Sequence, residues 1–358
     1  MPDRRTLTAR ALVAILALGT TLALAACGSS DDSSGDDSGG SSSASSATTT
    51  ADAGASSAQT VKIGVFPGLL LGPEVAEAQG MFERNGVRAE LVTLTAGPAL
   101  MAAVAKGSVD VVFGDTLAWA AATSNGFDNI QVLLGGTVTD SRSPSPMHLI
   151  AGPDSGVRTV ADLSGKTIGV IPTPQMSAAI GVWLQQNGVD PRSVRVVTVQ
   201  DGNQSSALKT NSLAAVQTRN TAQNLDLTRN YGGVDLQSPL DAEPQGTANA
   251  NYFANAQWVQ DDPELAQRTA TALREASVWL NDAPSQEKAD LAARYAGIDY
   301  ARLSARLPGL IRQIQWEPWI TGPIDLDATQ RWIDVGSTIG LLRRAVEIAD
   351  HLAPTAQR

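Results

Sequence analysis

The amino-acid sequence predicts an α/β fold of two doubly wound lobes followed by a helical C-terminal region. Three observations predict it. Short apolar runs alternate with helix-length segments from about residue 60 to 138. The alternation begins again at about 147, and beyond about 260 apolar residues recur at helical spacing. Strands alternating with helices over short connections are the pattern of a largely parallel sheet covered on both faces.

The first lobe reads in order. "TVKIGVFPG" is a strand that stops at Pro67-Gly68. "GPEVAEAQGMFERNGV" is one helix, with Pro73 in its first turn and Gly86 past its end. "RAELVTLTAG" is a second strand. Pro98 opens a short helix that sets Leu100, Met101 and Val104 on one face and stops at Gly107. "VDVVFGD" is a third strand, "TLAWAAATSNG" a helix and "NIQVLLGG" a fourth strand.

In the second lobe "MHLIAGPDSG" is a strand leaving the first lobe, and "KTIGVIP" is a buried strand. "SAAIGVWLQQNG" is a helix with Ile180, Trp183 and Leu184 inward and Gly188 as its stop. "VRVVTV" and "LAAVQT" are strands on either side of a polar helix, "NQSSALKTNS". This second unit occupies about 147–250. Asp262-Pro263-Glu264 then combines a cap, a proline at N1 and a first-turn acid. Leu265, Ala272, Leu273, Ala276 and Leu280 form the apolar face of that helix, with Thr269 its one polar member. Further helices are expected at about 285–296, 299–314 and 327–351. Trp119, Trp183, Trp279 and Trp332 fall on helical patterns and are expected in the core. The sequence does not place Trp258, Trp316 and Trp319. No repeat of solenoid length is visible.

The N-terminus is of another kind. Arg4, Arg5 and Arg10 precede an uncharged apolar stretch, 11–26, which is short for a membrane span. Leu24-Ala25-Ala26-Cys27 matches the lipobox of bacterial lipoproteins, so residues 1–26 read as a signal peptide and Cys27 as the lipidation site. Arg4-Arg5 leaves general and twin-arginine export both open. Acyl chains on Cys27 would anchor the chain to the outer face of the bacterial cell membrane, where two signals hold better than one. Residues 27–59 are a tether of Ser, Gly, Asp, Ala and Thr, too poor in apolar side chains to offset ordering entropy. As a flexible coil it would reach roughly 30 Å.

The formal net charge is −10. The leader carries three Arg and one Asp, so the chain after it carries −12, and five tether aspartates leave −7 for the folded part. That balance argues against nucleic acid and against anionic lipid bound by charge. Cys27 is the only cysteine, so a lipidated chain keeps no thiol for a disulfide or a metal.

Three stretches carry a family resemblance. "VKIGVFPG" with "PEVAEAQGMFERNGVRAELV" resembles the opening of the nitrate/sulfonate/taurine-binding group of ABC-importer substrate-binding lipoproteins, including Gly80-Met81-Phe82 and Gly86-Val87. "GPALMAAVAKGSVDVVFGD" resembles that group's Gly-x-Val-Asp turn at Gly107 to Asp110, and "VRTVADLSGKTIGV" with "LQQNGVDPRSVRVV" resembles its second-lobe opening. The similarity runs through about 60–300. It departs at Asn211-Ser212-Leu213-Ala214-Ala215, where the group has a Gly-x-Val-Asp-Ala turn, which leaves ligand contacts on the following strand open.

The resemblance implies the type II periplasmic-binding-protein fold, with a ligand cleft between the lobes. Lobe one would be 60–146 with 251–358, and lobe two 147–250, joined by crossovers near 146 and 250. It implies a monomer that delivers a small solute to an ABC permease and ATPase. Thiamine-pyrimidine-precursor binders share the fold, so a pyrimidine or an aromatic acid stands as an alternative to a sulfonate, nitrate or taurine. An enzyme on this scaffold and a surface sensor lipoprotein are the other readings.

Ligands in open α/β sheets bind beyond the carboxyl ends of the strands. In lobe one that rule selects Phe66, Pro67 and Gly68, then Asp115 and Thr116, then Thr137. In lobe two it selects Thr173, Gln175, Met176 and Ser177, then Arg219 and Asn220. Ser177 and its neighbours open a helix whose N–H groups could hold an anion, Arg219 could pair with a sulfonate or carboxylate, and Asp115 could receive an ammonium. Together they suit a small zwitterion. Ser177 and Asp115 could equally serve only as helix caps, and Arg219 could lie solvated.

"SGKT" at 164–167 lacks the earlier glycine of a phosphate loop, since Val160 stands there. His148 and His351 are the only histidines, so no His/Cys metal cluster, catalytic triad or cofactor is expected. His148 reads as a hinge-strand residue.

Overall fold

The computed structural model describes residues 59–94, 97–171, 173–200 and 202–357; the leader, Cys27 and the tether before Gln59 lie outside the described residues. The first series is β1 (Gln59–Val65), α1 (Gly72–Ala78), α2 (Met81–Arg84), β2 (Val87–Thr93), α3 (Pro98–Ala105), β3 (Val111–Asp115), α4 (Thr116–Ser124) and β4 (Ile130–Val138). The single helix expected over 72–86 is two, because Gly80 takes φ 63°, a left-handed backbone that separates α1 from α2.

The second series is β5 (Leu149–Ala151), β6 (Thr167–Val170), α5 (Pro174–Gln186), β7 (Arg195–Thr198), α6 (Gln204–Lys209), β8 (Ala215–Gln217), α7 (Thr221–Leu225) and β9 (Val234–Asp235). The chain then forms β10 (Ala248–Asn255) and α8 (Ala256–Asp261), α9 (Pro263–Asp282), α10 (Ser285–Leu291), α11 (Tyr300–Ser304) and α12 (Leu326–Thr338).

Two five-stranded sheets result, with orders β2-β1-β3-β10-β4 and β7-β6-β8-β5-β9. Each is mixed. β10 runs antiparallel between β3 and β4, and β5 antiparallel between β8 and β9. Both sheets therefore depart from the expected parallel pattern, and β10 is a strand that the sequence did not predict. Its sequence, "ANANYFAN", interrupts the apolar pattern with asparagines. The side-chain amides of two of them are engaged inside the fold: Asn251 Nδ2 donates to Thr116 Oγ1 at 2.8 Å and Asn255 Nδ2 to the Val104 carbonyl at 2.9 Å. Tyr252, Phe253 and Ala254 meanwhile enter the core.

The helical tail is shorter than its periodicity suggests. The helix expected over 299–314 is only α11 and a later 3₁₀ turn at Leu310–Gln313, since Pro308 and Gly309 (φ 76°) intervene. The helix expected over 327–351 ends at Thr338, just before Gly340 at φ 76°. Asp262 caps α9 as expected, accepting the Leu265 N–H at 2.9 Å. The tail returns to the first sheet, where the Ala353 N–H donates to the Val132 carbonyl.

The chain passes between the sheets twice, through 139–148 and 236–247, and the two crossovers are bonded to each other. Thr139 N–H donates to the Thr247 carbonyl and Gly246 N–H to the Thr139 carbonyl, both at 3.0 Å. Trp119 stacks on Phe253 in the core, and Trp183 and Trp332 are buried, while Trp279 is only half-buried. Trp319, unplaced by the sequence, is also buried, against Phe113 and Tyr252.

The packing of α1 on the first sheet requires a glycine. A Cβ on Gly72 would lie 2.0 Å from Tyr252 Oη. Gly181, inside α5, has no atom within 4 Å of the corresponding point. Gly72→Ala should therefore cost about 1–3 kcal/mol of overpacking strain, whereas Gly181→Ala should be neutral or add up to about 1 kcal/mol. Urea denaturation of both variants checks the contrast.

Glu74, also on α1, is buried, and burial pushes its carboxyl up to about 8, although hydrogen bonds to backbone N–H groups pull it down. An acid raised by folding contributes fully below its ordinary value of 4.5 and loses that contribution as pH rises through about 8. Glu74→Gln should melt above the wild type on the alkaline side of that window and converge with it at pH 4.5. A series of melting curves against pH tests this.

Candidate functional site

The carboxyl ends of the two sheets face one cavity of ≈ 110 Å³. β1 delivers Phe66 to it, β3 delivers Phe113 and Asp115, and β4 delivers Thr137. From the second sheet come Thr173, Gln175 and Met176 at the start of α5, and Gln217 and Arg219 after β8. Seven residues named from the sequence thus share the lining: Phe66, Asp115, Thr137, Thr173, Gln175, Met176 and Arg219.

The other five lie elsewhere. Pro67 and Gly68 sit in the turn after β1, outside the lining. Thr116 is fully buried and donates to the Ala248 carbonyl at 2.5 Å. Ser177 is exposed and its hydroxyl donates to the Thr173 carbonyl at 2.9 Å. Asn220 caps α7, accepting the Gln223 N–H at 3.0 Å, and borders a neighbouring cavity of ≈ 50 Å³. The two cavities share Leu69, Arg219 and Glu317.

One chain of hydrogen bonds crosses the cleft. Asp115 accepts from Ala118 N–H at 2.9 Å, capping α4, and its second oxygen accepts from Gln175 N–H at 3.1 Å in the opposite lobe. Gln175 Nε2 donates to Glu243 Oε1 at 2.6 Å, and Thr139 Oγ1 donates to Glu243 Oε2 at 2.6 Å. Both crossovers are thereby tied to both lobes. Thr173 caps α5 by accepting the Met176 N–H at 3.0 Å. The anion seat expected at this helix start is therefore engaged by the protein's own carboxylate.

Burial governs the acidity of these groups. It raises Asp115 to about 6, against the amide hydrogen bonds that hold it down. It raises Glu243 to about 8, opposed by Thr139 and Gln175 and assisted by the charge of Asp115. It raises Glu317 to about 7, opposed by the Arg219 charge.

Sequence reasoning missed Glu243, Glu317, Gln217 and Asn249. Gln217 ends β8, and its Oε1 accepts the Ile171 N–H at 2.9 Å, so the strand-end rule could have reached it. Asn249 accepts from Thr137 Oγ1 at 2.6 Å but sits on the unforeseen β10. Glu243 and Glu317 lie in irregular segments that carry no periodic signal. His148 lies outside the cavity lining, buried beside β5, with Nδ1 2.8 Å from Asp235 Oδ2. Among the described residues no group of His, Cys, Asp and Glu is arranged to hold a metal ion.

Comparison with known proteins places this geometry. A binding protein of Brucella abortus (strain 2308) is 24% identical over 267 residues, covering 71% of this chain and 80% of its own. The periplasmic aliphatic sulphonate-binding protein SsuA of Escherichia coli superposes with a TM-score of 0.67 at 17% identity, over 84% of this chain and 93% of its own. The desulfurization enzyme DSZB superposes with a TM-score of 0.58 at 17% identity, over 83% of this chain and 96% of its own. The fold is that of the periplasmic binding proteins. The NMT1/THI5-like family profile matches residues 71–287, well over half of the sequence, and the chain belongs to that family.

Proposed function

We propose that this protein is the extracytoplasmic solute-binding component of an ABC importer. It captures a small anionic or zwitterionic solute, of sulfonate, nitrate or taurine type, between its lobes and hands it to a permease and ATPase. The observation that carries this reading is the cavity where the carboxyl ends of both sheets meet, spanned by two crossovers. Such a cleft suits domain closure around a ligand. Lobe one in this reading is 60–146 with 251–358, and lobe two is 147–250. Cys27, lipidated, holds the monomer at the outer face of the membrane through the 27–59 tether.

The lining supports binding more than catalysis. Its charged members among the described residues are Asp115, Arg219 and Glu317, and it contains no thiol, imidazole or primary amine. The kinship in fold with the sulphonate-binding SsuA favours a solute with an acidic group, which Arg219 would meet. The Phe66 and Phe113 rings, stacked at 6.3 Å, favour a second reading in which the solute is a flat ring such as a pyrimidine or an aromatic acid.

Thermal unfolding of the purified protein against alkanesulfonates, taurine, nitrate, aromatic acids and pyrimidines tests the proposal. A true solute at a hundredfold excess over Kd should add about 2.7 kcal/mol and raise Tm by several degrees. Arg219→Ala should weaken an acidic solute by about tenfold to a hundredfold. A panel that leaves Tm unmoved throughout sinks these solute classes.

A further inference from the structure

We infer that the cleft selects solutes bearing a protonated or quaternary amine and rejects bare anions of the same size, with the positive group held among the Asp115 and Glu317 carboxylates and the Phe66 and Phe113 rings. This rests on the solute-binding reading above and narrows it.

The first reason is charge. Among the described lining residues two are acids and one is a base. The Arg219 charge acts on Glu317, drawing its carboxyl down against the burial that raises it, so the lining's one base is already engaged by an acid. Asp115 is held by two backbone amides, those of Ala118 and Gln175, and by no cation in its hydrogen bonds. An entering anion would meet this carboxylate at short range in a half-buried site, where like charges repel more strongly than in open water. An entering cation would complete the balance.

The second reason is that the usual anion seat is engaged. The N-terminus of α5, a helix of 13 residues, points its Gln175 N–H at Asp115 and its Met176 N–H at Thr173. A sulfonate or nitrate arriving there would have to displace a carboxylate that also caps α4.

The third reason is the rest of the lining. Phe66 and Phe113 line the same cavity as the acids, and aromatic faces attract cations electrostatically. Leu100, Met101, Met176 and Leu240 complete an apolar wall suited to the methyl or methylene groups of an organic cation. A metal ion is disfavoured, since the described residues bring no three of His, Cys, Asp and Glu together to hold one.

Two matched pairs of probes test the inference by calorimetry at neutral pH. Taurine is compared with ethanesulfonate, the same anion without the amine, and choline with 3,3-dimethylbutan-1-ol, its uncharged isostere. Each amine should bind at least about tenfold more tightly than its partner. Asp115→Asn, which keeps an oxygen to cap α4, should shrink both ratios to within about threefold. If that variant fails to fold, Glu317→Gln gives the same readout from the other acid. Amine and amine-free partners binding alike, or ratios unchanged in the variants, overturn the inference. Ethanesulfonate binding while both amines fail overturns it and leaves the solute-binding reading intact. Silence from all four probes up to about 50 mM overturns it, and the solute-binding reading then stands or falls on the thermal-unfolding panel.

Discussion

Asp115 binds both lobes at once, and the shape of the cleft depends on it. One oxygen ends β3 by capping α4; the other takes the Gln175 amide at the start of α5 in the second lobe. The same glutamine reaches Glu243 in one crossover, and Glu243 reaches Thr139 in the other. Buried polar groups must find partners or carry a large desolvation cost, and each member of this chain finds its partner in a different segment. The network therefore sets how near the lobes lie and places acidity on the cavity wall. A cleft closed by its own carboxylate also differs electrostatically from one lined by unengaged helix amides.

The crossovers are the other structural condition. Thr139, Gly246 and Thr247 join them by backbone hydrogen bonds, so the two segments that connect the sheets are held to each other. β10 explains why the first lobe is built from distant parts of the chain. It inserts antiparallel between β3 and β4, carries Asn249 and Ala250 to the cavity and then leads into the helices that cover the first sheet. The lobe cannot be completed until the second lobe has been traversed.

Membership of the NMT1/THI5-like family and kinship in fold with both a sulphonate-binding protein and a desulfurization enzyme show a scaffold that accommodates more than one task. The task is decided by side chains at the strand ends. Here those are aromatic and aliphatic walls, a few amides and hydroxyls, two acids and one guanidinium. The solute-binding reading and the charge discrimination proposed above both rest on that set.

Much of this protein was determined locally and is legible in its residues. Proline at N1 and glycine past the C-terminus punctuate α3, and Gly188 ends α5, which starts at Pro174 rather than at the expected Ser177; Asp262 caps α9; Trp119, Trp183 and Trp332 lie inward because helical spacing put them on apolar faces. The strand-end rule reached Phe66, Asp115, Thr137, Thr173, Gln175, Met176 and Arg219 because a strand terminus is itself a local feature. What only the tertiary structure decided involves partners far apart in the chain. β10 pairs with β3 and β4 from far along the chain and places its asparagine amides against distant residues, while Glu317 reaches the cavity, and Glu243 its lining residue Gln175, from segments with no period of their own. Asp115 caps α4 by a three-residue rule, but its second oxygen meets Gln175 across sixty residues. Periodicity reports which face of an element is buried, and it carries no information about which distant segment will cover that face.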